Sequence, residues 1–236
     1  MSLSSRTRRW LIPSAFTVFG LALLIGLGTW QLERLQWKEG LIATREERLA
    51  APPIALPDQG DPAGLEYRRV HFSGQYLNDR EMYLAARTLN GETGYHVMTP
   101  VRPAAGLPVL VDRGWIPLYR KDPSSRPETR PGGTTDIDGY VRLPERPNIF
   151  TPANDQTQNM WFSIDLKAMA RYAGLDAVRP FYVQAAPSAD PKALPIGIKP
   201  MVELPNNHLQ YALTWYALAV ALAITYILYM RRRRTG

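Results

Sequence analysis

The chain has 236 residues, 45% of them hydrophobic and 21% charged, with no cysteine, three histidines and a formal net charge of +7. Without cysteine, thiol redox chemistry, covalent haem attachment through C-x-x-C-H and cysteine-based copper or zinc sites are excluded. The excess charge lies at the ends, since Arg6, Arg8, Arg9 and the run Arg231, Arg232, Arg233, Arg234 together equal the +7; the rest is formally neutral, which argues against nucleic acid as a partner.

Residues 10–32 form an uncharged run of 23, long enough to span a bilayer as a helix, with Pro13 in its first turn where a missing N–H matters little. Ala22 and Gly26 stand four apart, the small-xxx-small spacing that lets two helices approach closely; the alternative is glycine facing lipid. The arginines before this run resemble the n-region of a signal peptide. The run exceeds the usual h-region of about 7–15 residues, and Gly26-Leu27-Gly28 is a weak cleavage match, so a retained span is expected. Trp30 and Trp37 are seven apart and share a face with Leu41 on a continuing helix, as interfacial anchors do. That helix is expected to reach about Ala50 and stop before Pro52-Pro53.

Residues 52–64 read as a loop. Residues 67–76 and 81–86 have strand character and are expected to pair as a hairpin across Leu77-Asn78-Asp79-Arg80, and residues 94–101 and 109–118 form a second pair. The Pro-, Arg-, Ser- and Gly-rich residues 121–133 read as a mobile loop without assignable function. A strand follows at 136–143. Leu166, Met169, Ala170 and Ala173 have helical spacing within 165–175, with Ser163 or Asp165 near the N-cap and Gly174 at the end. A last strand at 181–185 leads into a proline-punctuated tether, 187–205.

Residues 209–230 are 22 without a charge, about 33 Å of helix against a hydrocarbon core of about 30 Å. With arginines beyond both spans, the positive-inside rule puts both termini in the cytoplasm or the mitochondrial matrix, with the middle domain outside. The expected division is a basic tail 1–9, transmembrane helix 10–32, extracytoplasmic domain 33–207, transmembrane helix 208–230 and basic tail 231–236. The fold class is a membrane protein with two transmembrane α-helices flanking a β-rich, α+β extracytoplasmic domain, mainly antiparallel and barrel- or sandwich-like. No amphipathic transit peptide precedes the first span, which favours a bacterial inner membrane. Tails this short hold no output module, which argues against a two-span sensor.

Of the three histidines, His71 and His96 lie in expected strands and read as hydrogen-bonded or surface residues, with no zinc-ligand spacing around them. Ser73 or Ser163 with His96 lacks any nucleophile signature, no phosphate-binding glycine loop is present, and Asp136 and Asp138 read as turn formers, so no enzymatic activity is expected. His208 stands apart, in the first turn of the second span, which Asn206 or Asn207 can cap. Tyr211 and Trp215 share its face. An imidazole backed by an aromatic helix face suits axial ligation of a haem iron. The same residues also read as a polar interfacial residue within an aromatic belt.

The stretch Gly28-Thr-Trp-Gln-Leu-Glu-Arg-Leu-Gln-Trp-Lys38 resembles the opening signature of the Surfeit locus protein 1 family, assembly factors for cytochrome c oxidase. Collinear matches follow at Gly74-Gln-Tyr, Gly94-Tyr-His-Val-Met-Thr-Pro100, Val109-Leu-Val-Asp-Arg-Gly-Trp-Ile-Pro117, Gly139-Tyr-Val-Arg, Pro152-Ala-Asn-Asp155 and Trp161-Phe-Ser-Ile-Asp165. Asn206-Asn-His-Leu-Gln-Tyr-Ala-Leu-Thr-Trp215 closes the series. The resemblance implies a multi-pass inner-membrane protein with a periplasmic central domain. It further implies that haem a is bound transiently, with His208 as the axial ligand beside Tyr211 and Trp215, and passed to cytochrome c oxidase subunit I. It makes haem a synthase a candidate partner beside the lipid bilayer and leaves oligomerisation open. The alternative is a haem-free scaffold that stabilises subunit I. Arg113-Gly114-Trp115 reads as structural.

Overall fold

The computed structural model describes residues 5–58, 61–200 and 206–235, with side chains described for 11–58, 61–200 and 206–233. Residues 1–4 and 236 of the expected basic tails, 59–60 of the first loop and 201–205 of the expected tether lie outside the described residues, as do the side chains of Arg6, Arg8, Arg9 and Arg234. The chain divides into two compact units, one comprising Met1–Thr44 with Glu203–Gly236 and the other Arg45–Val202.

The first unit is built on two helices, α1 (Ser5–Ala50), which ends two residues before Pro52 as expected, and a C-terminal helix, His208–Thr235. Both are long and apolar enough to cross a membrane. They run antiparallel: Ser14 Oγ meets Tyr226 Oη at 2.5 Å, Thr29 Oγ1 meets Tyr216 Oη at 3.2 Å, and Gln31 meets His208. Close approach comes from Gly20 and Gly28. A Cβ on Gly28 would stand 2.7 Å from the Tyr216 ring, and one on Gly20 3.0 Å from Leu222. Ala212 and Ala219 are buried on the facing helix. Gly26 has open space around it, so the Ala22/Gly26 spacing is not the contact; the glycines that matter are eight apart, about two helical turns.

The second unit is a mixed sheet whose strands are β1 (Ile54–Ala55), β2 (Arg69–Tyr76), β3 (Met82–Leu89), β4 (Glu92–Pro103), β5 (Val109–Pro117), β6 (Thr134–Arg142), β7 (Met160–Trp161) and β8 (Tyr182–Ala185). Two short helices, α2 (Pro62–Leu65) and α3 (Leu166–Tyr172), interrupt the series, so the C-terminal helix is α4. The order β1-β2-β6-β8-β5-β4-β3-β7, together with an added β2–β4 pairing, closes β2, β6, β8, β5 and β4 into a ring. This is a five-stranded barrel, with β3 and β7 continuing the sheet beyond it. Five of the eight pairings are antiparallel; β1–β2, β3–β7 and β5–β8 are parallel. Closure brings backbones together at glycine: a Cβ on Gly74 would stand 2.5 Å from Val101 Cγ1, and one on Gly139 2.5 Å from Val183 Cγ1.

Alternation along the strands separates two cores. Val70, Phe72, Val101, Val109, Val111, Ile137, Val141 and Val183 fill the barrel. Leu110, between Val109 and Val111, points the other way and packs with Met82, Leu84, Met98, Trp161 and Met169 beneath α3. Strand β5 is therefore buried on both faces, which is why Val109, Leu110 and Val111 stand in succession rather than alternating with polar residues. Helix α3 begins at Asp165, whose Oδ1 accepts the Lys167 and Ala168 N–H groups at 3.0 Å, and ends at Gly174, at φ +62°.

Two sequence expectations are corrected. Strands β2 and β3 do not form a hairpin: β2 pairs with β1, β4 and β6, and β3 pairs with β4 and β7. Asn78–Arg80 form a single 3-10 turn, and no residue between the strands supplies the positive φ that a tight hairpin turn requires. Residues 121–133 are not a loose loop either. They form two 3-10 turns, Pro123–Ser125 and Pro127–Thr129, pinned by Arg126, whose side chain is fully buried. Arg126 Nη2 donates to Glu81 Oε2 at 2.6 Å, Nη1 to Thr129 Oγ1 at 2.9 Å and Nε to the Arg120 carbonyl at 2.9 Å. Arg113 Nη1 donates to the other Glu81 oxygen at 3.2 Å, and its Nη2 donates to the Thr129 carbonyl. Burial, reinforced by Glu81, pushes the Tyr83 hydroxyl pKa up to about 12, so it stays a neutral donor to Glu81 Oε2 at 3.3 Å.

The neighbours of Arg113 complete the structural role expected of Arg113-Gly114-Trp115. Gly114 sits at φ +116° where a Cβ would strike the Ile196 carbonyl, and Trp115 exchanges backbone hydrogen bonds of 2.8 Å with Ile196 in both directions. The Trp115 indole N–H donates to the Arg87 carbonyl at 3.0 Å.

Candidate functional site

In the two-helix unit, the antiparallel register sets the first turn of α4 against the last residues of the uncharged run of α1. There His208, half-buried, holds its Nδ1 2.7 Å from the side-chain oxygen of Gln31. An amide oxygen only accepts, so the proton of this contact sits on Nδ1 and the lone pair on Nε2. Ligating histidines show this arrangement: one ring nitrogen is tied to an acceptor that orients the ring, and the other is left for a metal. The Asn206 side-chain oxygen is buried without a hydrogen-bond partner, so it is not the cap acceptor of α4; the Asn207 carbonyl receives the Tyr211 N–H at 3.2 Å.

The three residues expected to share a site are placed differently. His208 lies on the side of α4 that meets α1, as do buried Ala212 and Ala219. Trp215 is half-buried, whereas Tyr211 is 56% exposed and stands off the packed face. Exposed Leu209 and Leu213 are each two positions from Tyr211 and so lie on another face, and the flank of α4 next to His208 is formed by Tyr211 with Trp215, four positions on. Such a flank with an imidazole at its edge can take a flat apolar macrocycle with a nitrogen-seeking metal. Gln31 was missed as a site residue. It stands inside the stretch quoted for the resemblance, yet only the register of the two helices puts it beside a residue 177 positions away.

The other two histidines belong to the β-domain. His71 is half-exposed and pairs with Asp138 at 3.2 Å across the β2–β6 ladder. His96 is largely buried, with Nδ1 2.8 Å from Asp112 Oδ2, while Asp112 Oδ1 accepts the Gly114 N–H at 3.0 Å. Both are hydrogen-bonded strand residues, as their positions suggested. Among the described residues no group of three His, Cys, Asp or Glu side chains could hold a metal ion.

A family model described as the SURF1 family matches residues 18–220. The chain is similar to Surfeit locus protein 1 of Rattus norvegicus, 35% identical over 237 residues, which span 94% of this chain and 76% of that protein. It is similar to Surfeit locus protein 1 of Homo sapiens, 36% identical over 213 residues, or 83% of this chain and 70% of that one. A SURF1-like protein of the bacterium Rickettsia conorii is 34% identical over 223 residues, covering 92% of this chain and 91% of its own.

Proposed function

This chain belongs to the SURF1 family, and on that premise we propose that it is an assembly factor for haem-a-containing cytochrome c oxidase, binding haem a at His208 and aiding its insertion into subunit I. The observation that carries the reading is the His208 imidazole at the end of a membrane-length helix, its Nδ1 occupied by Gln31 and its Nε2 left to an iron. Haem a is cargo here: the residues hold and release it, and no turnover is assigned. Half-buried Trp215 and the exposed Tyr211 ring supply apolar surface beside the imidazole.

The charge pattern supports a bacterial inner-membrane orientation with both termini cytoplasmic and the β-domain periplasmic. Partners under this reading are subunit I, haem a synthase upstream of it, and the bilayer. Reporter fusions after residue 236 and within 121–133 are expected to report opposite sides of the membrane; the same side for both would overturn the orientation. Protein purified from haem-a-producing cells is expected to show haem absorbance that His208→Ala abolishes. A haem-free wild type, with His208→Ala still supporting full oxidase assembly, would replace the carrier with a scaffold that stabilises subunit I.

A further inference from the structure

A cavity of about 370 Å³ lies on the outer surface of the barrel. Its floor is made by side chains that alternate with the barrel core: Asp112 beside Val111, Arg142 beside Val141, and Tyr182 and Gln184 on either side of Val183. Arg87 and His96 close one side, and the segment from Glu145 to Thr151 forms part of the rim.

The charges around it do not cancel. Three arginines, Arg87, Arg142 and Arg146, face two carboxylates. One of these, Asp112, is committed on both oxygens, to His96 Nδ1 and the Gly114 N–H. The other, Glu145, is 89% exposed and reaches Arg142 Nη2 only at 3.7 Å. The Arg142 side chain is 14% exposed and stacks over the Tyr67 ring at 4.7 Å. Its Nε, and the Nε of Arg87, are buried with no hydrogen-bond partner. Buried guanidinium N–H groups are rarely left unmatched, because losing water without a replacement acceptor is unfavourable. Tyr182 adds a donor: burial pushes its hydroxyl pKa up and keeps it protonated.

We propose that this cavity is an oxyanion-binding site that takes the carboxylate or phosphate group of a small molecule onto Arg87 and Arg142, with the Tyr182 hydroxyl as a further donor. The guanidinium fork matches both groups, offering parallel N–H donors to two oxygens at once. Arg146, exposed on the rim, draws the anion in. The site uses no residue of the two-helix unit, so it is independent of the haem reading.

The test is calorimetric titration of the full chain in detergent with inorganic phosphate and, separately, with succinate, at ionic strength held constant with sodium chloride. Saturable binding of at least one probe is expected, weakened at least tenfold by Arg142→Gln and by Arg87→Gln and unchanged by Arg171→Gln on α3. Phosphate alone would assign a phosphate-bearing ligand, succinate alone a carboxylate, and both an oxyanion site without preference. Should Arg142→Gln fail to fold, the exposed Arg146→Gln is expected to weaken binding severalfold at unchanged melting temperature. No saturable heat from either probe, or equal affinity in wild type and the arginine variants, overturns the proposal. His208→Ala is expected to bind the probes like wild type, so loss of the haem reading would leave this one standing.

Discussion

Replacing Arg126 with alanine is expected to destabilise the β-domain by about 3–5 kcal/mol, the range for breaking a buried ion pair from one side. The side chain is fully buried and donates from all three guanidinium nitrogens, so its loss removes hydrogen bonds to Glu81, Thr129 and the Arg120 carbonyl together. Glu81, its side chain 2% exposed, would keep Arg113 as its one cation, beside the neutral Tyr83 hydroxyl. Thr129 would lose one of the two arginines that tie it down. Lysine should not rescue, because a single ammonium cannot reproduce the fork. Urea unfolding of the full chain followed by tryptophan fluorescence reads the effect through buried Trp115 and Trp161. A change below about 1 kcal/mol would show that residues 121–133 do not depend on this anchor.

Gln31→Leu is expected to weaken haem retention by about 10–100-fold while leaving His208 in place, the usual penalty for removing the partner that orients a ligating histidine. Leucine keeps the size and the helix but gives Nδ1 nothing to donate to, so the ring loses its preferred tautomer and orientation. Gln31→Glu restores an acceptor and is expected to retain haem at least as well as wild type. Transfer of haem to apomyoglobin, measured for the three proteins, gives the order Glu at or above Gln, and Leu well below. If Leu holds haem as tightly as wild type while His208→Ala loses it, the Gln31 contact is packing and does not support a ligand. Rescue by Glu separates orientation of the ring from mere helix pairing, since glutamate and leucine both fill the position.

The barrel was partly legible. The pairing of residues 94–101 with 109–118 was readable because the two runs are adjacent and a connecting turn stands between them; the structure pairs β4 with β5. The same local argument failed for β2 and β3, which are equally adjacent in sequence. There the 3-10 turn at Asn78–Arg80 redirects the chain, and β2 finds its main partner in β6, more than sixty residues on. Residues 121–133 misled for a related reason. Proline, serine and arginine are common in mobile loops, and nothing local marks Arg126 as buried; its partner Glu81 is 45 positions away. The cavity residues Arg87, His96, Asp112 and Arg142 come from four strands, so no window of sequence contains them.

What the amino-acid order determined by itself was the two membrane-length helices, the concentration of positive charge at their ends, the stop of α1 at Pro52-Pro53 and the Asp165-capped helix. Each depends on residues within a few turns of one another, through hydrophobic length, charge and capping. The tertiary structure alone decided which strands meet, which glycines let the helices touch, which arginine anchors residues 121–133, and that Gln31 holds His208. Those outcomes depend on register and ring closure, where a shift of one residue exchanges the inner and outer faces of a strand, and that constraint exists only once distant segments are packed together.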